Sequence, residues 1–407
     1  MIISSLRIKA GYSVHVAFAV CVVSLVCACN SPAKSAGNAT NTSANPSPTT
    51  TFQPQVTIFE PTITASPTAE PTNTAVPATE TPAATSTPSP DQINPFTGLV
   101  ITDTSVLNRR PLLIKVANTY EVRPQSGLAL ADVVVEHYTE GGITRFSALY
   151  LTNSPQKVGS VRSCRLIDLE LPAIFGSSLT CSGSSAGVRA LLLRSTYLFD
   201  HDSNPNDSLA IESDFGPFEC PTCVMFRTSD KPAPHNLFAN TPLIWKELDR
   251  RGKNTRTKFN TWTFDSIPIT TGQEVSQVAL PYLVDSVLWQ YDSATMSWLR
   301  FTDGISHTDA TTHQQLSASN VVVAYVPHVY TSIIEDVNGA RSIRIELWGQ
   351  GPVRVYRDGR MIKGTWERAE GSTYSLFFKD TAGTNIALRP GNTWIELVPP
   401  NFVVKDR

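Results

Sequence analysis

One long segment of this chain is predicted not to fold. Between residues 31 and 90 stand 33 Ser, Thr or Pro, with a single base, Lys34, and three acids, Glu60, Glu70 and Glu80. No apolar periodicity survives there. Such a composition cannot bury enough surface to offset the entropy of its chain, so it predicts a disordered tether over 29–93. The prolines favour extended stretches. About 60 residues reach ~45 Å as a flexible coil and ~190 Å fully drawn out.

The tether begins where an export address ends. Arg7 and Lys9 precede an almost wholly apolar run from Ser13 to Ala28. That run is shorter than the roughly 20 residues a membrane span needs, and its flanks are those of a signal peptide over 1–28. The run closes on Val26-Cys27-Ala28-Cys29. Small residues before a Cys resemble the bacterial lipobox, which makes Cys29 the lipidated first residue of the mature chain. An ordinary signal cut near Ala28 is the plainer alternative. Lipidation would supply more than one acyl chain, enough for stable anchoring. The expected location is extracytoplasmic, on the cell membrane.

Past the tether, 94–407 is long enough for a substantial core. Pro111–Asn118 reads as a buried strand. Asp132–Tyr138 and Ile143–Tyr150 read as a pair turning at Gly141-Gly142. Leu166–Phe175 and Gly187–Leu198 have helical spacing, and Ser178–Ser182 a strand. The second part, from about residue 260, looks all-β, a compact sandwich or partial barrel. There Asp358-Gly359 between alternating runs signals a tight hairpin. The fold class expected is α+β, with a mixed α/β domain over 94–258 and a mostly β domain over 259–407.

Charge excludes one class of partner. Lys+Arg is 33 and Asp+Glu is 35, so there is no basic face for nucleic acid. Of seven Cys, Cys21 and Cys27 leave with the signal and Cys29 carries lipid. Cys164, Cys181, Cys220 and Cys223 remain, and an even number in an exported domain predicts disulfides. Three pairings are open; Cys164–Cys181 with Cys220–Cys223 is preferred. A redox dithiol at Cys220-Pro-Thr-Cys223 wants a strand before it and a helix after it, and the flanks look like loop.

No catalytic set is complete. Gly183-Ser184-Ser185-Ala186-Gly187 fits the nucleophile-elbow pattern, yet it also suits a small-residue turn. The acid-rich loop 200–207 fails as an EF-hand, with Pro205 where Gly is needed and Ile211 where Glu is needed. His307-Thr-Asp309 with His313 is too sparse a metal set. No cofactor or metal is expected. The densest chemistry lies in Glu136, Glu140, Arg145, Arg162 and Arg165. Paired guanidiniums fork onto a carboxylate or phosphate, unless Glu136 and Glu140 already occupy them.

Several strings together resemble one family, the YerB-like bacterial lipoproteins. They are Asn94-Pro-Phe-Thr-Gly-Leu99, Arg123-Pro-Gln-Ser-Gly127, Ala131-Asp132, Glu140-Gly-Gly-Ile-Thr-Arg-Phe146, Gly159-Ser-Val-Arg-Ser-Cys-Arg165 and Ala233-Pro-His-Asn-Leu237. In the second part come Trp289-Gln-Tyr-Asp292, Arg300, Gly304, His307-Thr-Asp309, Asn320-Val-Val-Val323, Gly349-Gln-Gly351, Asp358-Gly359, Gly364-Thr-Trp366 and Pro390-Gly-Asn-Thr-Trp394. The resemblance implies a lipid-anchored, two-domain envelope protein and no defined activity. It singles out Arg123, Arg145, Arg162, Arg165, Asn236, His307 and Asp309 as ligand-binding candidates. Glu136, Glu140 and His235 are the weaker catalytic ones. Where relatives carry His-Ala-Gly-Gly-Ser, this chain has Cys181-Ser-Gly-Ser-Ser185, which removes any role resting on that His and favours a local disulfide from Cys181.

The expectation is therefore a non-catalytic module that holds peptidoglycan or an envelope protein through an Arg-rich cleft. The alternative is a hydrolase or transferase on a wall glycan or phosphodiester, with Glu140 or Glu136 as acid/base, the two as a carboxylate pair, and Arg162 with Arg165 holding an anion.

Overall fold

The computed structural model describes residues 89–199, 208–213, 216–259 and 262–407. The signal, Cys29 and nearly all of the tether lie outside the described residues, as do the loop 200–207 and Asp214. Described structure begins with a 3-10 turn, Pro90–Gln92, and Ile93 bridges to Val100.

Five strands are buried along almost their whole length: Leu112–Ala117, Val133–Tyr138, Thr144–Tyr150, Asn320–Tyr325 and Thr393–Val398. Runs of Val, Ile and Leu with no polar alternation demand cover on both faces. These strands form the middle of one eleven-stranded sheet. Thr393–Val398 runs parallel between Val133–Tyr138 and Asn320–Tyr325, so one sheet holds strands from both parts of the chain. Gly349–Arg357, Arg360–Arg368 and Phe377–Asp380 extend it at one end, and Ser178–Cys181 and Ala210–Glu212 at the other.

The second part therefore does not close into a sandwich of its own. Gln277–Pro281, Ser286–Asp292 and Ser297–Thr302 belong to a separate six-stranded sheet. Its Val278, Leu280, Trp289 and Trp298 pack with Ile114, Phe146, Val323 and Trp394 of the large sheet. The opposite face is covered by the turn Leu166–Leu169, the helices Leu171–Phe175 and Ala186–Leu192, and a hairpin, His328–Ile334 with Arg341–Ile345. Few short helices on a large sheet make the class α+β.

Strand alternation sends neighbours to opposite faces. Leu113, Val133, Val135 and Leu149 point to the helical side, whereas Leu112, Val134, Phe146 and Ala148 point to the second sheet. This parity separates the charged groups considered below. At the Asp358-Gly359 turn both residues have positive φ, 53° and 69°. That is the primed geometry a two-residue hairpin needs.

Cys164 pairs with Cys181 and Cys220 with Cys223. The first bond fastens the segment carrying Arg162 and Arg165 to the strand Ser178–Cys181.

Candidate functional site

The arginines are set by two backbone tracks. Arg145 projects from Thr144–Tyr150 on the helical side, in register with His137. The segment after Gly159 crosses the sheet end: Arg162 N–H donates to Lys115 O, and Cys164 N–H to Gly183 O. Arg165 then opens the turn Leu166–Leu169, its N–H held by Asp168 at 2.7 Å.

Arg165 grips Glu140 with two prongs, Nε to Oε2 at 2.6 Å and Nη2 to Oε1. Arg145 Nη2 reaches the same carboxylate at 3.3 Å, while its Nη1 donates to Ser163 O at 2.7 Å. Burial works against the Glu140 anion, but the bonds from Arg165 and the nearby Arg145 outweigh it and hold its pKa down at about 2. Arg145 itself is lowered to about 9, by burial first and then by Arg165. Beneath them Lys115, wholly buried, meets Asp168 at 3.0 Å, Ser147 at 2.7 Å and His137 Nε2 at 2.6 Å.

Arg162 is half-buried and less engaged. Its Nη2 donates to His235 Nδ1 at 2.8 Å. That bond leaves the proton of the neutral imidazole on Nε2. Burial, then Arg162, lowers the pKa of His235. No other hydrogen bond of the Arg162 guanidinium occurs among the described residues. Burial lowers Arg162 too, followed by the neighbouring Arg227. Two guanidiniums thus share the Glu140 carboxylate, and Arg162 adds its charge beside them. Glu335 also approaches, 3.5 Å from Arg165 Nε.

Glu136 is on the other side. Arg300 bridges Glu136 at 2.8 Å and Glu396 at 3.3 Å, and all three side chains are fully buried. Thr144 Oγ1 and Asn118 Nδ2 also donate to Glu136, and Tyr282 OH and Trp289 Nε1 to Glu396. The two carboxylates stand opposite one another in adjacent parallel strands. Burial, then the charge of Glu136, pushes Glu396 up to about 8. The sheet therefore separates Glu136 from Glu140, and the expected carboxylate pair does not exist.

His307 ends this network. Arg300 Nε donates to its Nδ1 at 3.2 Å, so its Nε2–H donates to Gln125 Oε1 at 2.7 Å. Burial, then Arg300, keeps it well below the usual histidine range. Arg123 lies between Asp285 at 2.6 Å and Asp303 at 3.1 Å. With His307 it lines a cavity of about 220 Å³.

The remaining candidates are spent internally. Asn236 accepts from Arg227 and donates to Thr228 O. Asp309 accepts the N–H groups of Ala129, Thr311 and Thr312. Ser185 caps the helix Ala186–Leu192 through Val188 N–H, which accounts for the elbow-like motif. Among the described residues no group of three His, Cys, Asp or Glu could hold a metal ion. No helix there is long and apolar enough to cross a membrane.

The sequence reading missed Glu396, Glu335 and the bridging role of Arg300. Glu396 had a signal: it is the sole charge in the apolar strand Thr393–Val398.

Two family models match the two parts of the chain that share the large sheet. The profile described as "Protein of unknown function (DUF3048) N-terminal domain" matches residues 96–254, and its C-terminal counterpart matches 278–395. The chain belongs to this family. It is 30% identical over 309 residues to "Putative lipoprotein YerB" of Bacillus subtilis (strain 168), covering 75% of this chain and 86% of that one. The crystal structure of YerB from Bacillus subtilis superposes with a TM-score of 0.63 at 27% identity, over 77% of this chain and 99% of that one.

Proposed function

We propose that this protein is a lipid-anchored binding module of the cell envelope, anchored at Cys29, whose body takes a wall-linked anionic ligand at Arg145, Arg162 and Arg165. The observation that supports it is the charge imbalance. Arg145 and Arg165 share Glu140, and Arg162 keeps donors free beside them and His235. Guanidinium forks suit carboxylate and phosphate alike. The Ser, Thr and Pro composition of 31–90 suits a spacer between that anchor and the body.

The hydrolase or transferase alternative loses the pair expected for it, because Glu136 and Glu140 lie on opposite sides of the sheet. Glu140, held at about 2, is also a poor general acid near neutrality.

Incubation with purified sacculi tests this function, with pellet and released fragments read by mass spectrometry. Pelleting without fragments is expected, and Arg162→Ala abolishes it. New fragments released by the wild type and not by the variant would establish the enzyme instead.

A further inference from the structure

The hairpin His328–Ile334 with Arg341–Ile345 carries a carboxylate with nowhere to go. The Glu335 side chain is 0% exposed, yet neither of its oxygens accepts a hydrogen bond. Leaving a buried carboxylate without such bonds is costly, and each instance calls for an explanation. Its nearest cation is Arg165, at 3.5 Å from Nε, a distance too long and a site too crowded for a fork, because Glu140 already holds Arg165 in one. Glu335 therefore stands at the arginine group as an ill-fitting anion.

The element that carries it belongs to neither of the two large sheets. The two strands pair only with each other, and a lone hairpin is marginal in water. Its outer side shows Tyr330, Ile334 and Val337 to solvent, at 68%, 49% and 102% exposure. Its inner side packs into the core through Ile343 and Ile345, with Ile333 against the helix Ala186–Leu192. A Cβ on Gly187 would lie 2.6 Å from Ile333 Cγ2, so the glycine is what lets the hairpin lie down. Beside that contact a cleft of about 320 Å³ remains open, lined by Leu166, Leu169, Leu191, Ile333, Ile345 and Trp348 among others.

We infer that the Arg145–Arg165 group is a carboxylate-recognition site, that Glu335 occupies it in cis as an internal stand-in, and that the ligand's own carboxylate displaces it by lifting the hairpin. This rests on the binding function proposed above and names its ligand class. The carboxylate comes either from a wall peptide or from a free small acid.

Calorimetry on the full chain in detergent tests it, with a muramoyl dipeptide for the wall source and sodium acetate for the free one. Sodium phosphate serves as a control for charge alone. If Glu335 fills the site nine-tenths of the time, Glu335→Gln, which keeps the size of the side chain, tightens a carboxylate probe about tenfold. Whichever probe gains identifies the source, and phosphate gains little. In the wild type, hydrogen exchange in 328–345 quickens when the carboxylate probe binds, a readout that survives a poorly folding variant. Unchanged carboxylate affinity, an equal gain for phosphate, or a hairpin that stays protected with the probe bound would each overturn the inference. A gain for acetate with no pelleting on sacculi by any form would keep the carboxylate site and discard the wall ligand.

Discussion

The two charged groups of this protein differ in sign and in access. On the helical side, Arg145 and Arg165 share Glu140, with side chains 9% and 12% exposed, and Arg162 stands nearby with donors to spare. On the other side, two carboxylates share Arg300 and nothing reaches water. Surplus cations at a rim suit capture of an anion. Surplus carboxylates in a sealed core suit the fixing of one strand arrangement, here the junction of Val133–Tyr138 with Thr393–Val398. Both are arginine–glutamate clusters, so residue type alone does not say which is the site.

The largest break in this comparison comes from Arg300→Met. It strands Glu136 and Glu396 without their cation, and denaturant melts should show a loss of about 3–5 kcal/mol. Cys164→Ala with Cys181→Ala is next. It releases a loop of sequence separation 17 and costs about 3 kcal/mol. It also loosens the arginine side, so sacculus binding falls along with stability.

The pH dependence has opposite signs on the two sides. Glu140 is held below its unfolded value of 4.5, so its contribution is present above 4.5 and disappears as pH falls through about 2. Glu396 is raised above the same value to about 8. Between those limits the folded state holds a proton that the unfolded state lacks, so stability declines as pH rises from 4.5 to 8. Chemical melts across pH should show Glu396→Gln removing that decline, a slope of up to about one proton, while Glu140→Gln alters only the acid limb. Arg162→Ala has the smallest effect on stability, within about 0.5 kcal/mol, because its guanidinium makes only one hydrogen bond among the described residues.

Strands whose residues are apolar on both faces were plain in the sequence. Leu112–Ala117 and Val133–Tyr138 fall where their Val, Ile and Leu runs predict, and the Asp358-Gly359 turn follows from its dipeptide. The helix Thr241–Arg250 was passed over, although Asn240 caps it by accepting Leu243 N–H and Pro242 lies in its first turn. Its apolar stripe, Ile244, Trp245 and Leu248, is short and interrupted by charge. The insertion of Thr393–Val398 beside Val133–Tyr138, a strand 260 residues earlier, had no local signal, since parallel pairing across such a separation leaves no turn to read. That insertion is what pairs Glu396 with Glu136. Arg145, Arg162 and Arg165 were legible as a group, but which carboxylate they meet depends on strand parity and on the sheet they cross.

The melting temperature of the wild type and of Arg162→Ala, each with and without muramidase-solubilised wall fragments, tests the assignment of the site most directly. A ligand that binds only the folded state raises the melting temperature by mass action. The wild type should rise with fragment concentration and Arg162→Ala should not, from the same starting value. An equal rise in both proteins would contradict a ligand site at the arginine group.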